Sequence, residues 1–170
     1  MTYTAATRPT PLGTFMVIAD RETVVRSSFG SDLEALRDWL PDPAAEIRVR
    51  ADLGRITEAL RAYFDGSDVL AIDALPVRAA GSPSMQRLWN ALRRVPAGEV
   101  CSYAELGGER RFARAAGTAC ARNPIPVIVP CHRVIASDGG LGGFGFGLDA
   151  KRWLLDHEAA ATGRSLDLTA

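Results

Sequence analysis

The apolar positions of this chain change period along its length, and each change marks a different kind of element. Residues 14–19 (TFMVIA) and 23–29 (TVVRSSF) are short, β-branched and nearly continuous apolar runs, separated by Asp20, Arg21 and Glu22. That pattern predicts a β-hairpin. Ser31 and Asp32 then offer an N-cap, after which Leu33, Leu36, Trp39 and Leu40 recur at helical spacing until Pro41 and Pro43. Leu53, Ile56, Leu60 and Phe64 predict a second amphipathic helix, stopped at Asp65-Gly66. Residues 69–72 (VLAI) read as a third strand.

A shift in composition at residues 79–83 (AAGSP) marks a domain boundary, and the pattern beyond it is mostly helical. Met85, Leu88, Trp89 and Leu92 form one apolar face, with Ser82 or Ser84 as cap and residues 96–98 (PAG) as stop. Ser102 caps a short helix ending at Leu106, Gly107-Gly108 turns the chain, and residues 112–121 (FARAAGTACA) form a helix of small residues. Helix, glycine turn and second helix is the order of a helix-turn-helix. Asp149 is placed to cap a last helix, with Trp153, Leu154 and Leu155 facing inward, that runs to about Ala160. The fold class expected is therefore α/β (α+β). Residues 1–80 would form a small mixed sheet-helix support domain, and 81–170 a mostly helical, winged helix-turn-helix-like domain.

A 47% hydrophobic content suffices for a core, and no apolar run approaches a membrane span. The N-terminal residues lack the basic start and apolar stretch of a secretory signal. Three cysteines with no Cys-x-x-Cys pair argue against a disulfide framework and for a reducing compartment, so a cytoplasmic protein is expected. Net charge is zero, but its distribution is uneven. Residues 1–80 carry nine Arg against twelve acids, whereas residues 81–133 carry eight Arg against three Glu. A basic segment of this kind is the footprint of a polyanion partner, or else a solvated arginine-rich surface.

The chemistry concentrates at residues 130–134 (PCHRV), where Cys131 stands beside one of only two histidines. A thiol becomes a good nucleophile once a neighbouring base takes its proton. The run follows a stiff apolar stretch, residues 123–129 (NPIPVIV), and precedes a glycine-rich loop, residues 139–147. Adjacent side chains on an extended strand diverge, so a direct Cys–His contact would need a turn or a bridging water. The imidazole also needs a third group to orient it, and Glu158, Glu99, Glu105 and Asp138 are all candidates. Cysteine and histidine spacing does not suit a metal site, and no cofactor is expected.

Residues 130–134, preceded by Asn123-Pro124 and followed by residues 151–158 (KRWLLDHE), closely resemble the O6-alkylguanine-DNA alkyltransferases. The likeness extends upstream through residues 95–100 (VPAGEV) and Ser102-Tyr103, covering most of 83–158. Residues 11–13 (PLG) are similar to the opening of that family's N-terminal domain. The resemblance implies a single-use repair protein in which Cys131 accepts the alkyl group from a flipped O6-alkylguanine, and O4-alkylthymine would be a further substrate. His132 would act through a water as base, Glu158 would hold its tautomer, and Asn123 would brace the turn before the Cys loop. Tyr103 would hydrogen-bond the extruded guanine, while Arg114 would take its place in the stack. Ala113, Gly117, Arg122 and Arg133 would join Arg114 and Tyr103 on the DNA, with the small residues allowing close approach to the minor groove. Val134, Phe144, Gly145 and Phe146 would line the base pocket. The partner implied is alkylated double-stranded DNA, met by a monomer in the cytoplasm or on the nucleoid.

The chain departs from the family pattern behind the wing, at residues 144–148 (FGFGL). Phe144 lacks the hydroxyl expected there, and Phe146 puts a ring where a glycine is expected, which would restrict bulky adducts such as benzyl groups. Two other classes of function fit the bare motif: a sensor that binds alkylated DNA without repairing it, and a cysteine hydrolase or winged-helix regulator.

Overall fold

The computed structural model describes residues 1–169. The fold divides into two compact units, Met1–Ala80 and Gly81–Ala170.

The first unit is a four-stranded sheet with order β3-β2-β1-β4, formed by β1 (Thr2–Thr10), β2 (Gly13–Asp20), β3 (Thr23–Phe29) and β4 (Glu46–Val49). The expected hairpin is β2–β3, and its register shifts by a bulge at Ile18/Ala19. Five consecutive residues of β2, 15–19, are buried, so both faces of the sheet are covered there. Tyr3, Met16, Ile18 and Val25 pack with Leu36 and Leu40 in one cluster. The rings of Phe15, Phe29 and Phe64 pack edge-on within 6.4 Å, joining the sheet to α2 (Arg55–Asp65).

One strand appears that the sequence did not suggest, and three sequence expectations change. β1 pairs on both sides, antiparallel to β2 and parallel to β4, although its threonines and alanines carry no apolar run. The helix after Asp32 is a single turn, α1 (Glu34–Arg37), capped by Asp32 through Ala35 N–H at 3.1 Å. Trp39 does not face inward: it is 47% exposed, with the Arg26 guanidinium 5.0 Å over its ring. Residues 69–72 are not a strand, because Asp68 accepts the Leu70 N–H and the chain winds into a 3₁₀ turn, Ala71–Ala74. Val69 and Ile72 are then buried at a three-residue spacing.

The second unit is helical around a short parallel pair. α3 (Pro83–Leu92) is capped by Ser82, with Pro83 in the first turn, and Trp89 Nε1 donates to Ala119 O at 2.8 Å. This bond fixes α3 against α5 (Ala113–Ala121). β5 (Cys101–Ser102) pairs with β6 (Val134–Ile135), which brings the Cys-His loop beside the start of α4 (Tyr103–Gly107). A 3₁₀ turn, Arg110–Phe112, leads from α4 into α5. α6 (Leu148–Thr162) begins after Gly147, so Asp149 lies in its first turn rather than capping it, and the helix runs two residues past Ala160. Its buried stripe is Lys151, Leu154, Leu155, Glu158 and Ala159, while Trp153 is half-buried and stacks on His157. Among the described residues, no helix is long and apolar enough to cross a membrane.

Candidate active site

The approach to Cys131 is built by Asn123. Its Oδ1 accepts the Ile125 N–H at 3.0 Å and its Nδ2 donates to Val129 O at 2.7 Å, which closes the turn around Pro124 and Pro126. Val127, at the tip, is held at φ 73° although it is β-branched. Such a backbone costs about 1–3 kcal/mol and persists only where its surroundings enforce it. Here the residue is fully buried. The turn delivers Cys131 into a 3₁₀ segment, Cys131–Arg133, which resolves the divergence expected of an extended strand.

Among the four acids considered as His132 partners, only Glu158 reaches it, with Oε1 2.7 Å from His132 Nε2. Glu105 closes a capping box with Ser102, Glu99 pairs with Arg164 at 2.6 Å, and Asp138 accepts the Gly140 N–H. With the carboxylate on Nε2, that nitrogen carries the proton and Nδ1 keeps its lone pair. Nδ1 is buried and makes no hydrogen bond among the described residues, which leaves its lone pair free to accept a proton.

Arg133 does not face DNA. It is fully buried; Nε and Nη2 donate to Glu158 at 2.9 and 3.0 Å, and Nη1 donates to Val95 O at 2.7 Å. A guanidinium inside the protein is tolerable only when paired in this way. Burial alone would raise the Glu158 pKa, but His132 and Arg133 hold it well below the usual carboxylate range. Burial pushes the His132 pKa down despite Glu158, and the Arg133 charge adds to the effect. The carboxylate is already matched by the guanidinium, so His132 rests neutral and available as a base.

All three cysteines are pushed up by burial, Cys101 to about 11 and Cys120 to about 12. Cys131 differs in its offsets. The Asn123 amide, the Lys151 ammonium and the N–H groups of Cys131 and His132 all favour its thiolate. At rest it is a thiol with the means of stabilising a thiolate close by.

Lys151, the chain's only lysine, was not singled out from sequence. It is buried; its Nζ donates to Val134 O and, at 3.1 Å, to Gly143 O, and lies 5.9 Å from the Tyr103 ring. It ties the Cys loop to the glycine-rich loop of residues 139–147, the wing of this unit. Its place on the stripe with Leu154, Leu155 and Glu158 was the available clue.

Tyr103 is half-buried between α5 and the wing, with its hydroxyl at the Gly143 N–H. A Cβ on Gly142, at φ +71°, would meet that hydroxyl at 2.8 Å. Gly117 faces Tyr103 rather than the outer surface, and Ala113 is half-buried. The exposed stripe of α5 is Arg114, Ala115 and Thr118, continued by Arg122. Val134 is buried, Gly145 is exposed, and Phe144 lies edge-on to His132 at 6.5 Å. Phe146 packs on Phe144 at 5.6 Å and is 37% exposed.

A buried cysteine next to a histidine–carboxylate pair, in a unit with helix, turn and second helix, is the arrangement expected of a DNA-binding protein that uses a thiol in group transfer, and the comparisons with known proteins agree. A family model described as "6-O-methylguanine DNA methyltransferase, DNA binding domain" matches residues 83–160. A methylated-DNA–protein-cysteine methyltransferase of Shigella flexneri is 36% identical over 157 residues, covering 88% of this chain and 91% of that protein. The Homo sapiens protein of the same name is 40% identical over 135 residues, covering 74% of this chain and 64% of its own length. In the crystal structure of Mycobacterium tuberculosis OGT in complex with DNA, the fold matches with a TM-score of 0.76 at 29% identity. That match covers 93% of this chain and 94% of the other. The chain belongs to the methylated-DNA–protein-cysteine methyltransferase family.

Proposed function

We propose that this protein repairs DNA by moving an alkyl group from O6 of guanine in a duplex to Cys131 Sγ, once per molecule. O4-alkylthymine is a second substrate of the same chemistry. The observation that carries the reading is the fully buried His132–Glu158–Arg133 cluster beside a thiol, on a unit that exposes Arg114 on α5 and Arg122 just after it. The reacting O6 lies inside the duplex, so the nucleotide leaves the stack before attack, and Arg114 fills the space it vacates.

The thiol proton passes through a water to His132 Nδ1, and Glu158 stabilises the imidazolium that forms. Sγ then attacks the alkyl carbon, the carbon–O6 bond breaks, and its electron pair goes to the guanine oxygen. The guanine anion takes a proton from water as it returns to the neutral form, steadied by a hydrogen bond from the Tyr103 hydroxyl, and the His132 imidazolium returns its proton to water. Lys151 keeps the Cys loop and wing together while the sulfur carries charge. The thioether has no hydrolytic exit, so the product is inactive protein. A cysteine hydrolase would turn over, and a sensor would have no use for a thiol poised in this way. Phe146, packed on Phe144 behind the pocket, narrows the range of alkyl groups. The protein works as a monomer in the cytoplasm, with residues 1–80 as support and 81–170 as the reactive and DNA-binding part.

Stoichiometry tests the reading. A duplex carrying O6-methylguanine, in several-fold excess, should be repaired until repaired lesions equal protein molecules and then no further. Continued repair beyond that point, or tight binding without any repair, would contradict it.

A further inference from the structure

The exposed face of α5 continues N-terminally into the 3₁₀ turn Arg110–Phe112. Phe112 is 43% exposed, a large ring left in water two residues ahead of Arg114. Its position is fixed: Phe112 N–H donates to Glu109 O at 2.9 Å, and a Cβ on Gly107 would come within 2.9 Å of the Phe112 backbone. The Arg111 guanidinium covers one side of the ring at 4.8 Å and pairs with Glu109 at 2.9 Å, both partners being exposed. Arg110 and Arg114 are exposed beside them and make no ion pair among the described residues.

We propose that Phe112 is a second DNA-contacting side chain, an apolar wedge against a minor-groove base step beside the extruded nucleotide, with Arg111 leaving Glu109 for a phosphate. The proposal rests on the reading of α5 as the DNA-facing helix. An exposed ring with one guanidinium over it and two further exposed arginines within two residues in sequence suits a polyanion with apolar base faces. An apolar protein partner would have to strip water from all three guanidinium groups. Residues two apart on a helix point to different sides, so Phe112 and Arg114 engage different steps of the duplex. Apolar wedges of this kind hold open steps that a flipping protein has already loosened.

The test is equilibrium binding of the full chain to an O6-methylguanine duplex across a salt series, beside its reaction with free O6-methylguanine base. Phe112→Ala should weaken duplex binding about tenfold, the scale of one lost base–aromatic contact, with an unchanged salt slope. Phe112→Trp should restore it. Arg111→Ala should instead lower the salt slope by about one. A merely structural ring would slow the reaction with free base in parallel and lower the melting temperature, and that result would overturn the proposal. Unaltered binding by Phe112→Ala, with repair intact, would overturn this proposal alone. Failure of the unsubstituted protein to bind or repair the duplex would overturn the functional reading as well.

Discussion

Two regions of the C-terminal unit use arginine in opposite ways. Arg133 is fully buried, and its guanidinium is bound by Glu158 and Val95 O. Arg114 on α5 and Arg122 just past its end are exposed and make no ion pair among the described residues. The first sets the charge of the reacting centre; the others offer charge to a partner. A count of arginines along residues 81–133 treats them alike, yet Arg133 lies inside the His132–Glu158 cluster, Arg93 donates to Ile128 O, and Arg114 and Arg122 face solvent.

The contrast breaks most sharply at Arg133. Arg133→Ala leaves Glu158 buried with only a neutral imidazole, and should destabilise the fold by about 3–5 kcal/mol, read by urea unfolding. Repair should fail with it, because Glu158 would then protonate or draw a proton onto His132. Arg114→Ala should do the reverse. Its melting temperature should stay unchanged within the ~0.5 kcal/mol typical of surface substitutions, while repair of duplex slows more than tenfold through weaker base extrusion.

Acid sharpens the same line. The His132 pKa is lowered in the folded protein, so below about 6.5 the unfolded chain binds a proton that the native state resists. Stability should therefore be flat above that pH and fall as pH drops below it. The Glu158 contribution, from a pKa held low, is present above the ordinary carboxylate value and is lost at still lower pH. Urea midpoints between about pH 2 and about pH 8 check both signs. The smallest effect is expected at the wing: Phe146→Gly should leave methyl transfer within about twofold and speed benzyl transfer, measured as a ratio of single-turnover rates.

The Cys131–His132 pair was legible as a candidate because it and its flanking blocks are contiguous in sequence. Glu158 was legible among four acids only through the resemblance; in the fold, capping and surface pairing occupy the other three. Arg133 and Lys151 were not legible. A long charged side chain reads as solvated unless its partner is known, and their partners lie 25 and 17 residues away. Lys151 did sit on the helical stripe that Leu154 and Leu155 define, but apolarity, not position, was the guide. β1 was missed for a related reason: Thr2–Thr10 is interior to the sheet by pairing rather than by hydrophobicity. Residues 69–72 misled because a buried 3₁₀ turn and a short strand share the same apolar run, and only the Asp68 cap separates them.

The central claim is that one sulfur accepts the alkyl group. Peptide mass mapping after incubation with an O6-methylguanine duplex tests it directly, with Cys131→Ala as the unreactive but DNA-binding control. A single gain of about 14 Da, confined to the peptide holding Cys131, is the predicted result. Loss of the lesion with no gain in protein mass, or a gain on Cys101 or Cys120, would contradict it.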